Sequence, residues 1–210
     1  MGRDRSLGAQ QQLPWLSLKQ DRSWFRHLTS VGNTYKAARI WCKDRTQVST
    51  FWYPEIPNVL IVGRHTFRTL PMPLSNRQIC LVTNHIQPND PPLVADSLGS
   101  ALEHPWIARD AQYFVIGGGR LYADAMLHPA CERYYLTEVM GEYPDADTYW
   151  QPPDPWSMML DWDQGVMRFR CHGMPDITWH RTLKSQWIHE AHRPCYRFGI
   201  WEQEPRTENK

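Results

Sequence analysis

The sequence predicts an α/β fold, and three patterns carry that expectation. Short runs of apolar, β-favouring residues recur along the chain, each long enough for one buried strand. Stretches with helical spacing fall between them. The last quarter changes character, to alternating segments that read as antiparallel strands. Together they imply a central mixed, mostly parallel sheet flanked by helices, in a single domain over 1–210. A long insertion is expected at about 30–57, and C-terminal antiparallel strands at about 157–203.

The strands come first. Val59-Leu60-Ile61-Val62, Ile79-Cys80-Leu81-Val82-Thr83, Tyr113-Phe114-Val115-Ile116 and Tyr134-Tyr135-Leu136-Thr137 are continuous apolar runs, the habit of strands covered on both faces. Between Leu18 and Leu28, Trp24, Phe25 and Leu28 recur at helical spacing behind Asp21. Ser97 to Glu103 reads as a short helix. Gly119 to Ala130 reads as another, stopped by Pro129. Met158 to Trp162, Met167 to Cys171 and Tyr196 to Glu202 supply the antiparallel tail. Ala9 to Leu13, Ser30 to Pro57 and Gly173 to Pro194 read as loops, with a helix offered at Tyr35 to Lys43.

Composition narrows the classes of function. A chain of 210 residues with 41% hydrophobic residues supports one sizeable core. The formal net charge of +1 gives no prior for a nucleic-acid or membrane partner. The five cysteines show neither a CxxC pair nor zinc-ligand spacing, so no metal site is expected and isolated thiols in a reducing compartment are. No leader-like or membrane-spanning apolar run occurs, and the cytoplasm is the expected compartment.

Three constellations carry chemistry. Gly117-Gly118-Gly119 follows a strand and opens a helix, where backbone N–H groups can meet a phosphate; a tight structural turn is the competing explanation. The spacing is not GxGxxG, because Tyr122 stands where the last glycine would be. Gly63-Arg64-His65-Thr66 is a second strand-to-helix turn with a basic residue and a hydroxyl, or simply a capped helix start. Two such turns suit a ligand with several phosphates. Asp21 stands among Trp15, Trp24 and Phe25. A carboxylate on an apolar face must be paired or used, whereas one on the solvent face needs no role.

These residues, in this order, resemble the dihydrofolate reductase family over nearly the whole chain. Leu7-Gly8 with Leu13-Pro14-Trp15 resembles its mobile loop, and Asp21 with Phe25 and Thr29 its substrate helix. Val62 to Phe67 is similar to the G-R-x-T-W block and Pro73 to Arg77 to the P-L-x-x-R block. Val115 to Tyr122 is similar to the V-I-G-G-x-x-x-Y block. The long insertion and the ending Gly199 to Glu202 are similar to fungal members.

The resemblance implies NADPH-dependent reduction of dihydrofolate by a monomer, with Asp21 promoting protonation and Trp15 and Thr137 supporting it. The cofactor residues would be Gly63, Arg64, Thr66, Thr83, Asn84, Ile116, Gly117, Gly118, Gly119, Arg120 and Tyr122. The substrate residues would be Phe25, Leu70, Leu74 and Arg77. Three departures accompany it. The family's leading apolar strand has no counterpart before Asp4. Arg22 stands where an apolar residue is usual, and Asn84 where many relatives carry Arg. A second reading is a reductase-like enzyme of fungal secondary metabolism acting on a non-folate, polyketide-like or heteroaromatic ligand. A third is a binding module without catalysis.

Overall fold

The structure is a computed structural model that describes residues 1–30, 38–41, 48–51, 56–108 and 110–204. These form two compact units, residues 1–22 with 117–210, and residues 23–116.

In the second unit, strands β4 (Asn58–Gly63), β5 (Arg77–Val82), β6 (Leu93–Ala95) and β7 (Tyr113–Val115) make a parallel sheet in the order β6-β5-β4-β7. Three of the four apolar runs are found here. Val59, Leu60, Ile61 and Val62 are wholly buried, as a parallel strand covered on both faces requires. Helices α2 (Arg64–Thr69) and α3 (Leu98–Leu102) connect the strands. Ser97 caps α3, its hydroxyl accepting from Ser100 N at 3.2 Å. Val62, Ile79 and Leu81 form a core cluster that Phe67, Leu70, Leu74, Val94 and Ile116 pack against.

The expected loop from Ser30 to Pro57 contains an antiparallel strand pair, β2 (Ala38–Trp41) with β3 (Val48–Phe51). The helix offered at Tyr35 to Lys43 is therefore corrected over 38–41, and its remainder lies outside the described residues. The β-branched and aromatic residues of both segments favour the extended chain.

The first unit is built on an antiparallel sheet, β10 (Ser157–Asp161), β11 (Val166–Arg170), β12 (Ile177–Lys184), β13 (Tyr196–Gln203) and β8 (Arg133–Val139), in that order. The fourth apolar run lies in β8, which pairs antiparallel with β13 rather than joining the parallel sheet. An apolar run signals burial and leaves pairing direction open. The first half of the expected loop 173–194 is β12. Its alternating polar residues match half-buried pairing and hid the strand. Trp150, Trp179, Trp201, Phe169, Met167, Met126, Ile177 and Met1 form the core of this unit. Helix α4 (Gly119–Leu127) buries Leu121, Ala123, Ala125 and Met126. Within the expected mobile loop, β1 (Ser6–Gly8) pairs with β9 (Thr148–Tyr149).

No strand is assigned ahead of β1. Gly2 makes one parallel bridge to Val139, and Val139 N donates to Met1 O at 2.9 Å. Glu138, 3% exposed, gathers three arginines: Arg197 Nε at 2.6 Å, Arg3 Nε at 3.3 Å and Arg181 Nη1 at 3.7 Å. No helix among the described residues is long and apolar enough to cross a membrane.

Candidate active site

Helix α1 (Lys19–Ser30) carries Asp21 in its first turn. Leu18, buried just ahead of the helix, fixes where it begins. The first free N–H groups, of Lys19 and Gln20, each donate to the Glu190 carboxylate at 3.1 Å. Glu190 also accepts a short hydrogen bond from the Tyr196 hydroxyl. A carboxylate from a distant hairpin thus satisfies donors that a helix start leaves open and favours its positive dipole end. Ile188 and Tyr196 pair in that hairpin, Ile188 N donating to Tyr196 O at 2.7 Å. Glu190 went unnoticed in the sequence, because nothing local marks a cap supplied from 171 residues away.

Asp21 is largely buried. Thr137, in β8, donates its hydroxyl hydrogen to Asp21 Oδ1 at 2.5 Å. Burial pushes the carboxyl above its ordinary pKa. The Thr137 hydrogen bond and the Met1 amino group oppose that shift, and Glu190 adds to it. Thr137 engages one oxygen and leaves Oδ2 for an incoming donor. Arg22, next along the helix, is exposed, so its guanidinium is not buried beside the acid. Trp15 stacks at a tilt on Tyr143, centroids 5.1 Å apart, and packs on a cluster containing Leu18, Val139 and Tyr196.

The first glycine turn lies in the same unit. Gly117 has φ +109°, and a Cβ there would stand 3.0 Å from the Tyr122 ring, so both backbone and space demand glycine. Gly118 caps α4 without a side-chain hydrogen bond, which leaves the first N–H groups of this nine-residue helix without a side-chain acceptor. Arg120 points to solvent. Tyr122 is driven up to a pKa of about 12, first by burial and then by the Asp21 charge. This donor set fits a phosphate.

The other candidate residues lie in the second unit. Arg77 Nη1 donates to Thr29 Oγ1 at 3.0 Å and Arg77 Nε to Ser75 O at 3.1 Å. Burial, and secondarily Arg26, lower its pKa. Thr29 is buried, and its hydroxyl donates to Phe25 O at 2.8 Å. Leu70, Leu74 and Ile116 pack on the cluster around Val62. Gly63 ends β4 and precedes α2 without a side-chain cap, Thr66 is half-buried, and Asn84 is exposed. Arg64 is not a waiting cation. Its guanidinium is held by Asp90, by Thr83 Oγ1 and by His85 O. Asp90 too was missed in the sequence, since Pro88-Asn89-Asp90-Pro91-Pro92 reads as turn chemistry.

Comparison with known proteins agrees with this geometry. The family model described as dihydrofolate reductase matches residues 38–164. The chain is 27% identical over 169 residues to the bifunctional dihydrofolate reductase-thymidylate synthase of Glycine max, covering 73% of this chain and 28% of that protein. It is 29% identical to the dihydrofolate reductase of Heliothis virescens, covering 68% and 71%. It is 22% identical to the dihydrofolate reductase of Sus scrofa, covering 97% and 94%. The chain spans under a third of the bifunctional plant relatives it matches. With the family model covering more than half of its length, the chain belongs to the dihydrofolate reductase family.

Proposed function

We propose that this chain reduces dihydrofolate to tetrahydrofolate with NADPH, and that Asp21 binds and helps protonate the pterin. The observation that carries the reading is the Asp21–Thr137 pair. It is a largely buried carboxyl whose pKa is raised by burial and whose one oxygen is fixed by a hydroxyl. Such a group can accept from an amidine-like edge, and its burial favours the protonated form that a proton donor needs. Protonation assisted in this way is typically worth about 10²–10⁴-fold in rate.

Each remaining residue has a role in this reading. NADPH, when bound, supplies the hydride. The uncapped N–H groups of Gly119 and Arg120, with Gly117 and Gly118 permitting close approach, hold a cofactor phosphate. Gly63, Arg64 and Thr66 serve the other phosphates, and Thr83 and Asn84 meet the adenosine 2′-phosphate. Ile116, Tyr122 and Leu70 line the nicotinamide and substrate positions. Trp15 supports the pterin. Phe25 and Leu74 cover the aminobenzoyl ring, and Arg77, steadied by Thr29, binds the glutamate carboxylate. Purified protein should oxidise NADPH when dihydrofolate is added, followed by absorbance, and Asp21→Asn should lose most of that turnover. Folded protein that consumes no NADPH with dihydrofolate overturns the proposal.

A further inference from the structure

The second unit contains an ion pair that the proposed reaction does not use and that works against one of its binding residues. Asp90 has a side chain only 5% exposed. Its Oδ1 accepts a short hydrogen bond from Arg64 Nη1. Its Oδ2 accepts from Arg64 Nη2 at 2.7 Å and from Gln87 N at 2.7 Å. Arg64 Nη2 reaches two further acceptors, His85 O at 2.5 Å and Thr83 Oγ1 at 3.4 Å. Thr83 Oγ1 in turn accepts from His85 N at 3.2 Å. The guanidinium at the β4–α2 turn is therefore bound twice by one carboxylate and folded into the turn that follows β5. Each partner stabilises the charge of the other: Asp90 is held below the ordinary carboxylate range and Arg64 above its usual value, chiefly by their hydrogen bonds.

This arrangement has a consequence for an anionic ligand. A phosphate dianion arriving at Arg64 must displace Asp90, or sit beside a buried carboxylate that repels it and that, among the described residues, has no other cation in hydrogen-bond contact. Breaking such a pair leaves a poorly solvated charge behind. A neutral hydroxyl meets neither cost and can use the exposed Asn84 amide as the pair stands. The turn after β5 offers no second guanidinium, since Asn84 and His85 follow Thr83.

We propose that Asp90 is a specificity-determining residue: by holding Arg64 in an internal pair, it lets these turns accept an adenine dinucleotide with a free ribose 2′-hydroxyl almost as well as one with a 2′-phosphate. This rests on the dinucleotide-binding reading above and sharpens it. NADPH and NADH are then near-equal partners for the chain.

Calorimetric titration of the full chain with NADP⁺, NAD⁺, 2′,5′-ADP and 5′-AMP tests it without any turnover. Wild-type protein should bind NADP⁺ no more than about tenfold tighter than NAD⁺, because the phosphate's charged hydrogen bonds are offset by loss of those to Asp90. In Asp90→Asn, binding of NADP⁺ and 2′,5′-ADP should tighten about 10- to 100-fold, the size of one or two charge-assisted hydrogen bonds. NAD⁺ and 5′-AMP, which lack the 2′-phosphate, should gain much less than NADP⁺ and 2′,5′-ADP, so that the ratio between the two pairs widens. Adding Arg64→Gln should cancel the gain. A wild-type ratio above that limit overturns the proposal by itself, with no variant needed. So does an Asp90→Asn protein, folded by circular dichroism, whose ratio is unchanged; in both cases dinucleotide binding stands. Failure of every nucleotide to bind wild-type protein overturns this proposal together with the dinucleotide reading beneath it.

Discussion

Replacing Asp21 with asparagine separates a residue kept for chemistry from one kept for stability. The amide has the same shape, and the Thr137 hydroxyl can still donate to its oxygen. A hydrogen bond to an ionised acceptor is worth about 1.5–3 kcal/mol and one to a neutral acceptor about 1 kcal/mol, so the substitution loses up to about 2 kcal/mol there. It also removes the penalty of burying a carboxylate, which runs to several kcal/mol for a fully buried ion and is smaller for this partly exposed one. The two effects oppose each other. The net change at neutral pH should lie within about 1 kcal/mol of zero, while turnover falls by about 10²–10⁴-fold.

The sign of the pH dependence follows from the raised pKa. A carboxyl whose folded pKa exceeds its unfolded value contributes its full stability below the unfolded value, where both states are protonated. That contribution is lost as pH rises through the folded pKa. Asparagine has no such loss, so the variant should gain on the wild type as pH rises from the ordinary carboxylate range towards neutrality. Urea unfolding across that interval, with dihydrofolate turnover in the same preparations, measures both. A variant that unfolds more than about 2 kcal/mol too easily at neutral pH yet turns over dihydrofolate normally would refute the reasoning, because that is more than its hydrogen bond can account for.

Three further outcomes are expected. Thr137→Val removes the donor to Asp21 Oδ1, so kcat/KM should fall about 10- to 100-fold. The limb of its pH profile belonging to Asp21 should move to higher pH, since the lost hydrogen bond had lowered that pKa. Glu138→Ala leaves buried Arg181 and Arg197 without their shared carboxylate and should cost about 3–5 kcal/mol in urea unfolding; a change under 1 kcal/mol would contradict the ion cluster as drawn. Thr29→Val frees Arg77 Nη1, so KM for dihydrofolate should rise about 3- to 10-fold with kcat little changed, and steady-state kinetics would show the split.

The sequence was legible where burial dominates. The runs around Leu60, Leu81 and Phe114 are strands because an all-apolar stretch of that length has no other stable place in a small domain, and their parallel pairing followed from the helices between them. The run at Tyr134 to Thr137 was equally apolar but pairs antiparallel, a choice made by β13, sixty residues away. Ile177 to Lys184 was hidden because Arg181, Thr182 and Lys184 give it the composition of a loop, although its first half buries Ile177 and Trp179.

The site divides in the same way. Asp21, Thr137 and the glycines before α4 stand in short motifs whose spacing is local. Glu190, which anchors the start of α1, and Asp90, which occupies Arg64, act across distances in the chain that periodicity does not register. The departure at Arg22 buries no guanidinium, because the helix turns that residue to solvent.

The most direct test of the central claim, that Asp21 serves hydride transfer to a folate, is the product itself. Protein is incubated with dihydrofolate and nicotinamide cofactor deuterated at the transferable hydrogen, and the folates are weighed by mass spectrometry. Tetrahydrofolate carrying one deuterium should accumulate with the wild-type chain and only in traces with Asp21→Asn. Unlabelled dihydrofolate recovered intact from the wild-type reaction, with either cofactor, would contradict it.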